Sequence, residues 1–346
     1  MNKYLFPITL AALVTFAGCS NDADDAAPSN YPADNVIRVT TRVTPTRTTR
    51  ADATEAYTGN DFALFLEPID GNSDFRYENI IFKNDGSNNW LPSNGEEYHW
   101  QSKSTKYNYY AYAPSYSSDK LLPEITYLKE NNGSIELGWF DYGPYIEYDL
   151  SVENIDLLWT SNASDADDAK TAQALTKNEA GALNLTFAHM LAQFKVEVEI
   201  GNVLYNNSYS ESVTEETVPL TDVSVLNAGG KGYFSLTEGK FTPLEEVDIP
   251  AALDYDNVNN VAASNVHDGK IITQPIYIYP GEQSLKISLT INGDKYAYTH
   301  TAANYVAGYS YTLKVKVGAS SVNGTGITVD EWVDGTDTDN NKLATY

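Results

Sequence analysis

The chain has 346 residues, with 47 acidic against 22 basic side chains and a formal net charge of −25. Such a surface repels phosphate backbones, which argues against nucleic acid as a partner. Its single cysteine rules out a disulfide within the chain, so the fold must rest on a hydrophobic core, and the length suits two ordinary domains.

The first element in chain order is a leader. Lys3 precedes an apolar stretch from Tyr4 to Val14, followed by Thr15-Phe16-Ala17-Gly18-Cys19. A basic start, an apolar centre and small residues at a cleavage point mark residues 1–19 as a signal peptide. The stretch is shorter than the roughly 20 residues that a membrane-spanning helix needs. Phe16-Ala17-Gly18-Cys19 also resembles the motif cut by lipoprotein signal peptidase, which makes Cys19 the expected lipidation site. The alternative is an ordinary secretory signal with an incidental cysteine. Lipid on Cys19 would place the chain outside the cytoplasm and at a membrane.

Residues 20–35 are acidic, small and interrupted by proline, the composition of a tether. Next, Val36-Ile37-Arg38-Val39-Thr40-Thr41-Arg42-Val43 has strand propensity throughout. Its period of two sets Ile37, Val39, Thr41 and Val43 on one side and Val36, Arg38, Thr40 and Arg42 on the other, as in a half-buried strand. Pro45 stops it, and the polar run from Thr46 to Ala53 carries Arg47 and Arg50. An exposed Thr-Thr-Arg-Ala sequence suits an arginine-specific protease; the plainer reading is a linker with a few arginines. A cut after Arg50 would discard the lipid and the strand together, so residues 20–50 read as a tether and removable strand. The loss would leave an apolar groove with an unpaired edge, which a strand from a neighbouring subunit could fill by donor-strand complementation.

From there, short strand candidates recur between Gly, Asn, Asp and Pro. Phe62–Leu66 is a fully buried candidate; Glu97–Trp100, Lys106–Pro114 and Ile155–Trp159 follow. Residues 160–178 are polar and small, the best candidate for a connection, which divides the remainder into 51–178 and 179–346. The second part opens on Leu183–Ile200, where Phe194, Val196, Val198 and Ile200 alternate with Lys195, Glu197 and Glu199. Gln274–Pro280, Leu285–Ile291, Lys295–His300, Gly308–Val317 and Ile327–Val333 complete it, with Asn292-Gly293-Asp294 as a hairpin turn. With 26 tyrosines and no sustained helical period, the composition is all-β, and two antiparallel β-sandwiches in tandem are the expected architecture.

Nothing in the sequence supports an enzyme. The four histidines, His99, His189, His267 and His300, are never paired at metal-ligand spacing. His189 reads as a packed histidine with one satisfied ring nitrogen. No nucleophile elbow, zinc-protease motif, phosphate-cradling loop or calcium loop occurs, and Asp165-Ala166-Asp167-Asp168 reads as a solvated loop. No metal or cofactor is therefore expected. Trp90, Trp100, Trp139 and Trp159 could form a sugar-stacking platform, but aromatics on strands are more often core.

Taken together, these motifs resemble the fimbrillins, subunits of the lipoprotein-derived (type V) pili of Gram-negative gut and oral anaerobes. The resemblance is carried by Cys19, the basic stretch around Arg47 and Arg50, Tyr109-Tyr110-Ala111-Tyr112-Ala113-Pro114 and Asp156-Leu157-Leu158-Trp159. Leu185 to Ala192, Ala307-Gly308-Tyr309-Ser310-Tyr311 and Ile327 to Trp332 add to it. It implies two transthyretin-like β-sandwich domains and export as a lipidated outer-membrane precursor. It also implies cleavage by an arginine-specific surface protease after Arg50, with Arg47 as second choice, and assembly with other pilus subunits into a homo- or hetero-polymer of the fimbrium. The donor strand would come from the C-terminal segment, with Ile327, Val329, Trp332 and Val333 as candidates. The tail beyond Trp332 is polar until its last residues, which leaves open whether the chain donates a strand or only accepts one. The alternative function is a permanently lipidated surface glycan-binding protein.

Overall fold

The computed structural model describes residues 31–44, 55–87, 89–115, 125–131, 134–137, 144–152, 154–162, 170–171, 182–200, 220–252, 270–318 and 321–331. Among them there is no α-helix, and a single 3-10 turn, Ser73–Phe75, interrupts an otherwise all-β chain.

The strands run in order β1 (Arg38–Val43), β2 (Glu55–Ala56), β3 (Asp61–Pro68), β4 (Tyr77–Asn84), β5 (Trp90–Pro92) and β6 (Lys106–Ala113). They continue with β7 (Ile125–Asn131), β8 (Ser134–Leu137), β9 (Pro144–Asp149), β10 (Leu158–Ser161), β11 (Lys170–Thr171) and β12 (Ala182–His189). The second half holds β13 (Ala192–Ile200), β14 (Leu220–Ser235), β15 (Lys240–Pro250), β16 (Lys270–Ile272), β17 (Ile276–Ile278) and β18 (Gly281–Gln283). The last are β19 (Lys286–Ile291), β20 (Asp294–Thr299), β21 (Ala303–Tyr305), β22 (Tyr309–Gly318) and β23 (Ser321–Glu331).

A nine-stranded sheet follows the order β2-β1-β12-β10-β6-β3-β4-β5, with β11 beside β6. It curls until its ends meet. β1 comes close to β5, and Tyr57, just past β2, stacks on Trp90 of β5 with ring centroids 5.7 Å apart and planes within 11°. The curl encloses a first core in which Ile37, Val39 and Val43 meet Phe62, Leu64 and Phe187.

The second core lies between a five-stranded sheet (β16-β13-β22-β23, with β17 on β13) and a seven-stranded sheet (β20-β19-β14-β9-β7-β8, with β15 on β14). Phe194, Val196, Val198 and Ile200 of β13 are completely buried in it, as the alternation predicts, and Lys195, Glu197 and Glu199 take the outer face. β3 serves both cores. Phe62, Leu64 and Leu66 point into the first while Ala63 and Phe65 point into the second, so the strand reads as one continuous apolar run.

Pairing is mostly antiparallel. The exceptions are β1 with β12 and β13 with β22, both parallel. Pairing also crosses residue 178 in both directions: β12 lies between β1 and β10, while β9 pairs with β14. Met190 and Leu191 carry the chain from one core to the other, so the predicted run Leu183–Ile200 becomes two strands of different sheets.

The β19–β20 turn is as expected. Asn292 and Gly293 have φ of 52° and 86°, and Ile291 pairs with Asp294, a two-residue hairpin turn that needs positive φ at both positions. The expected strand Glu97–Trp100 is reduced to one bridge, Val36 to His99, with Trp100 buried at 1% exposure.

Candidate functional site

β1 is the element on which the sequence reading turns. Its burial alternates as its sequence does: Val39, Thr41 and Val43 face the core, Arg38 is exposed, and Thr40 and Arg42 are half-buried. Ile37, just ahead of it, is also buried, and Val36 is half-buried. Phe187 lies in the same core, its ring 5.6 Å from Tyr57 and 5.8 Å from Phe62. Phe62 continues the cluster to Phe82 at 5.1 Å and Trp90 at 4.9 Å.

The two edges of β1 are held very differently. Along one edge it pairs in parallel with β12 over its full length, from Arg38 opposite Ala182 to Val43 opposite Phe187. Thr44 N–H extends this ladder to the Phe187 carbonyl at 2.8 Å. The other edge has two short contacts. Ile37 N–H donates to Tyr98 O and Trp100 N–H donates to Asn35 O, each at 2.8 Å, while Arg42 and Val43 pair with Ala56 and Glu55 of β2. Removing β1 would thus bare the edge of β12 along with the apolar floor.

Polar contacts trim the strand. Asp34 Oδ2 is 2.6 Å from Arg38 Nη2, and Asp34 Oδ1 accepts Val36 N–H at 3.1 Å. The Arg38 guanidinium, helped by that amide, holds the Asp34 carboxyl well below the usual carboxylate range. Both side chains are half exposed, so solvent screens the pair and it adds little to stability. Thr40 Oγ1 donates to Asn184 Oδ1 of β12 at 3.3 Å.

The other predicted residues fall in different places. Cys19, Arg47 and Arg50 lie outside the described residues, the two arginines in the connection between β1 and β2. Trp332 and Val333 also lie outside them. Ile327 and Val329 belong to β23, which pairs with β22 from Tyr309 opposite Glu331 to Gly318 opposite Ser321. Ile327 packs on the second core, so this segment is engaged in its own sheet and is not brought to β1. What the sequence did not reveal was the parallel partner of β1: Leu183, Leu185 and Phe187 alternate correctly for a strand, but alternation names a face and not a neighbour.

Among the described residues the tryptophans do not form a surface platform. Trp90 and Trp100 are buried in the first core, Trp159 donates its indole N–H to Leu236 O at 2.9 Å, and Trp139 lies outside the described residues. His189 is packed, its Nδ1 2.7 Å from Asp156 Oδ2. Among the described residues no cluster of three or more His, Cys, Asp or Glu could hold a metal, and no helix is long and apolar enough to cross a membrane.

A family model described as fimbrillin-like matches residues 43–332. No curated protein matches the sequence. Among solved structures, the fold is similar to a candidate cell adhesion protein from Bacteroides ovatus ATCC 8483, at 13% identity and a TM-score of 0.51, covering 86% of this chain and 98% of that one. A second, from Bacteroides uniformis ATCC 8492, matches at 13% identity and a TM-score of 0.50, covering 87% of this chain and all of the other. At this level of identity the likeness is one of fold.

Proposed function

The chain belongs to the fimbrillin-like family, and from that premise we propose that it is a structural and adhesive subunit of a cell-surface fimbrium. It is exported as a precursor lipidated on Cys19 and held at the outer membrane. An arginine-specific protease cuts after Arg50, or after Arg47, and a strand from another subunit then replaces residues 36–43. The division into a leader (1–19), a removable segment (20–50) and two sandwich domains (51–178 and 179–346) belongs to the same proposal, with β7, β8 and β9 joining a sheet of the second part and β12 a sheet of the first.

The observation that supports this reading is the place of β1. A strand lying just before the two candidate cleavage sites supplies three aliphatic side chains to the first core and pairs fully with β12. Burying Ile37, Val39 and Val43 is worth at most roughly 5–9 kcal/mol, before the ordering costs that any incoming strand must meet. A replacement that recovers that burial and the β12 ladder would give a long-lived contact.

Changing both arginines tests it. The Arg47→Ala/Arg50→Ala precursor should reach the surface uncut and stay out of assembled fimbriae. Incorporation equal to that of the unaltered chain would count against removal of β1 as the trigger.

A further inference from the structure

One inward position of β1 does not suit its surroundings. Ile37, Val39 and Val43 are aliphatic and 4–7% exposed, and between them Thr41 is 4% exposed. Its Oγ1 is buried and finds no hydrogen-bond partner, whereas its neighbour Thr40 donates to Asn184 from the other face. A hydroxyl that gives up water without gaining a partner opposes the burial of its strand. Valine has the same outline with a methyl group in place of the hydroxyl, so the groove has room for an aliphatic side chain at this point.

The chain's own C-terminal segment repeats the spacing of β1. Ile327-x-Val329-x-Glu331-x-Val333 matches Ile37-x-Val39-x-Thr41-x-Val43. Laid in that register, Glu331 takes the place of Thr41 and buries a carboxylate between two valine positions. Sliding by two residues sets Glu331 at the Val39 or the Val43 position, and a slip of one turns Asp330 inward. In each of these registers an acid would enter the apolar groove, at high cost without a cation. The segment is also already committed, with Ile327 opposite Leu313 in its own sheet.

Resting on the strand-removal reading above, we propose that the groove beneath β1 is shaped for a strand of a different subunit, with aliphatic residues at all four inward positions. β1 is a placeholder, less well matched than its successor, so exchange runs downhill once the covalent link is cut. The same groove rejects the C-terminal segment of a second copy, which directs the chain into mixed rather than self-polymers.

Four labelled synthetic strands test this against precursor cut with an arginine-specific protease: residues 34–44, the same with Thr41→Val, residues 325–335, and the same with Glu331→Val. The Thr41→Val strand should bind about tenfold tighter than the native one, equivalent to about 1.4 kcal/mol. The native 325–335 strand should not bind, and its Glu331→Val form should gain binding. Equal affinities within the first pair, or a native 325–335 strand that binds as well as its variant, overturn the proposal. If no strand enters the cut protein, the strand-removal reading itself falls. The uncut precursor then judges Thr41 separately: Thr41→Val raises its Tm if the hydroxyl is mismatched, and an unchanged Tm overturns the mismatch.

Discussion

Val43 stands opposite Phe187 in parallel register, and the next amide, Thr44 N–H, donates to the Phe187 carbonyl at 2.8 Å. This rung ends the ladder that holds β1, and the connection carrying Arg47 and Arg50 begins directly after it. The partners that keep residues 36–43 in place, β12, β2 and the Tyr98 carbonyl, therefore lie on the far side of the proposed cuts. After cleavage the strand is retained without a covalent link, by burial, backbone pairing and side-chain contacts such as that of Thr40 with Asn184.

The inward face should dominate that retention. Val39→Ala is expected to cost about 2 kcal/mol in the uncut precursor and to speed release of residues 20–50 after cleavage. Arg38→Ala, which removes only a half-exposed pair with Asp34, should change both very little. Denaturant unfolding of the precursor and gel filtration of the cut protein read the two effects.

A second expectation concerns the junction between the cores. Asn154 acts as one rung of a ladder: its Oδ1 accepts Tyr277 N–H at 2.6 Å, and its Nδ2 donates to Tyr277 O at 2.9 Å and Leu150 O at 3.2 Å. Asn154→Ala leaves these backbone groups without their partner and should destabilise by about 2–3 kcal/mol. Asn154→Asp keeps the acceptor but loses the donor, so it should also destabilise. Thermal unfolding of both variants checks this.

The β14–β15 hairpin depends on Gly239, whose φ is +65° and whose hydrogen faces the indole of Trp159. A Cβ there would collide with that ring as well as strain the backbone. Gly239→Ala should therefore cost well over the ~1 kcal/mol typical of backbone strain alone, and it should shift the fluorescence of Trp159. Gly293→Ala, where the added Cβ meets open space, should cost only the strain.

Alkaline pH should weaken the first core in a defined window. Burial pushes the Tyr107 phenol up to about 12, against the smaller opposing pull of Gln101 N–H on its oxygen. Because the folded value is raised, the unfolded chain loses this proton first. The stabilisation is complete below about pH 10 and falls away as pH rises towards about 12. Tyr107→Phe should start less stable at neutral pH, having lost the Gln101 bond, and should lose less between pH 10 and 12. Tm measured across that range distinguishes the two slopes.

Some of this was legible in the sequence for a simple physical reason. Ile37 to Val43 alternates except at Thr41, Phe62 to Leu66 is apolar on both faces, and Asn292-Gly293 suits a turn that few residue pairs tolerate. The longest strand, Leu220–Ser235, was not legible because Ala228-Gly229-Gly230-Lys231-Gly232 looks like a loop. It stays in the sheet through register shifts at Val225/Ala228 and Gly229/Lys231, and Gly232 has no room for a Cβ against the Thr242 carbonyl. The parallel union of β1 with β12 was hidden for another reason. It joins residues far apart in the chain, and nothing local to Leu183, Leu185 or Phe187 specifies which strand will lie alongside.

Intact mass with N-terminal sequencing, on protein taken from assembled surface fimbriae, measures the removal of β1 most directly. A mature chain that begins at Ala51, or at Thr48, and carries no lipid is the expected result. A chain that still begins at a lipid-bearing Cys19, with residues 36–43 attached, would contradict it.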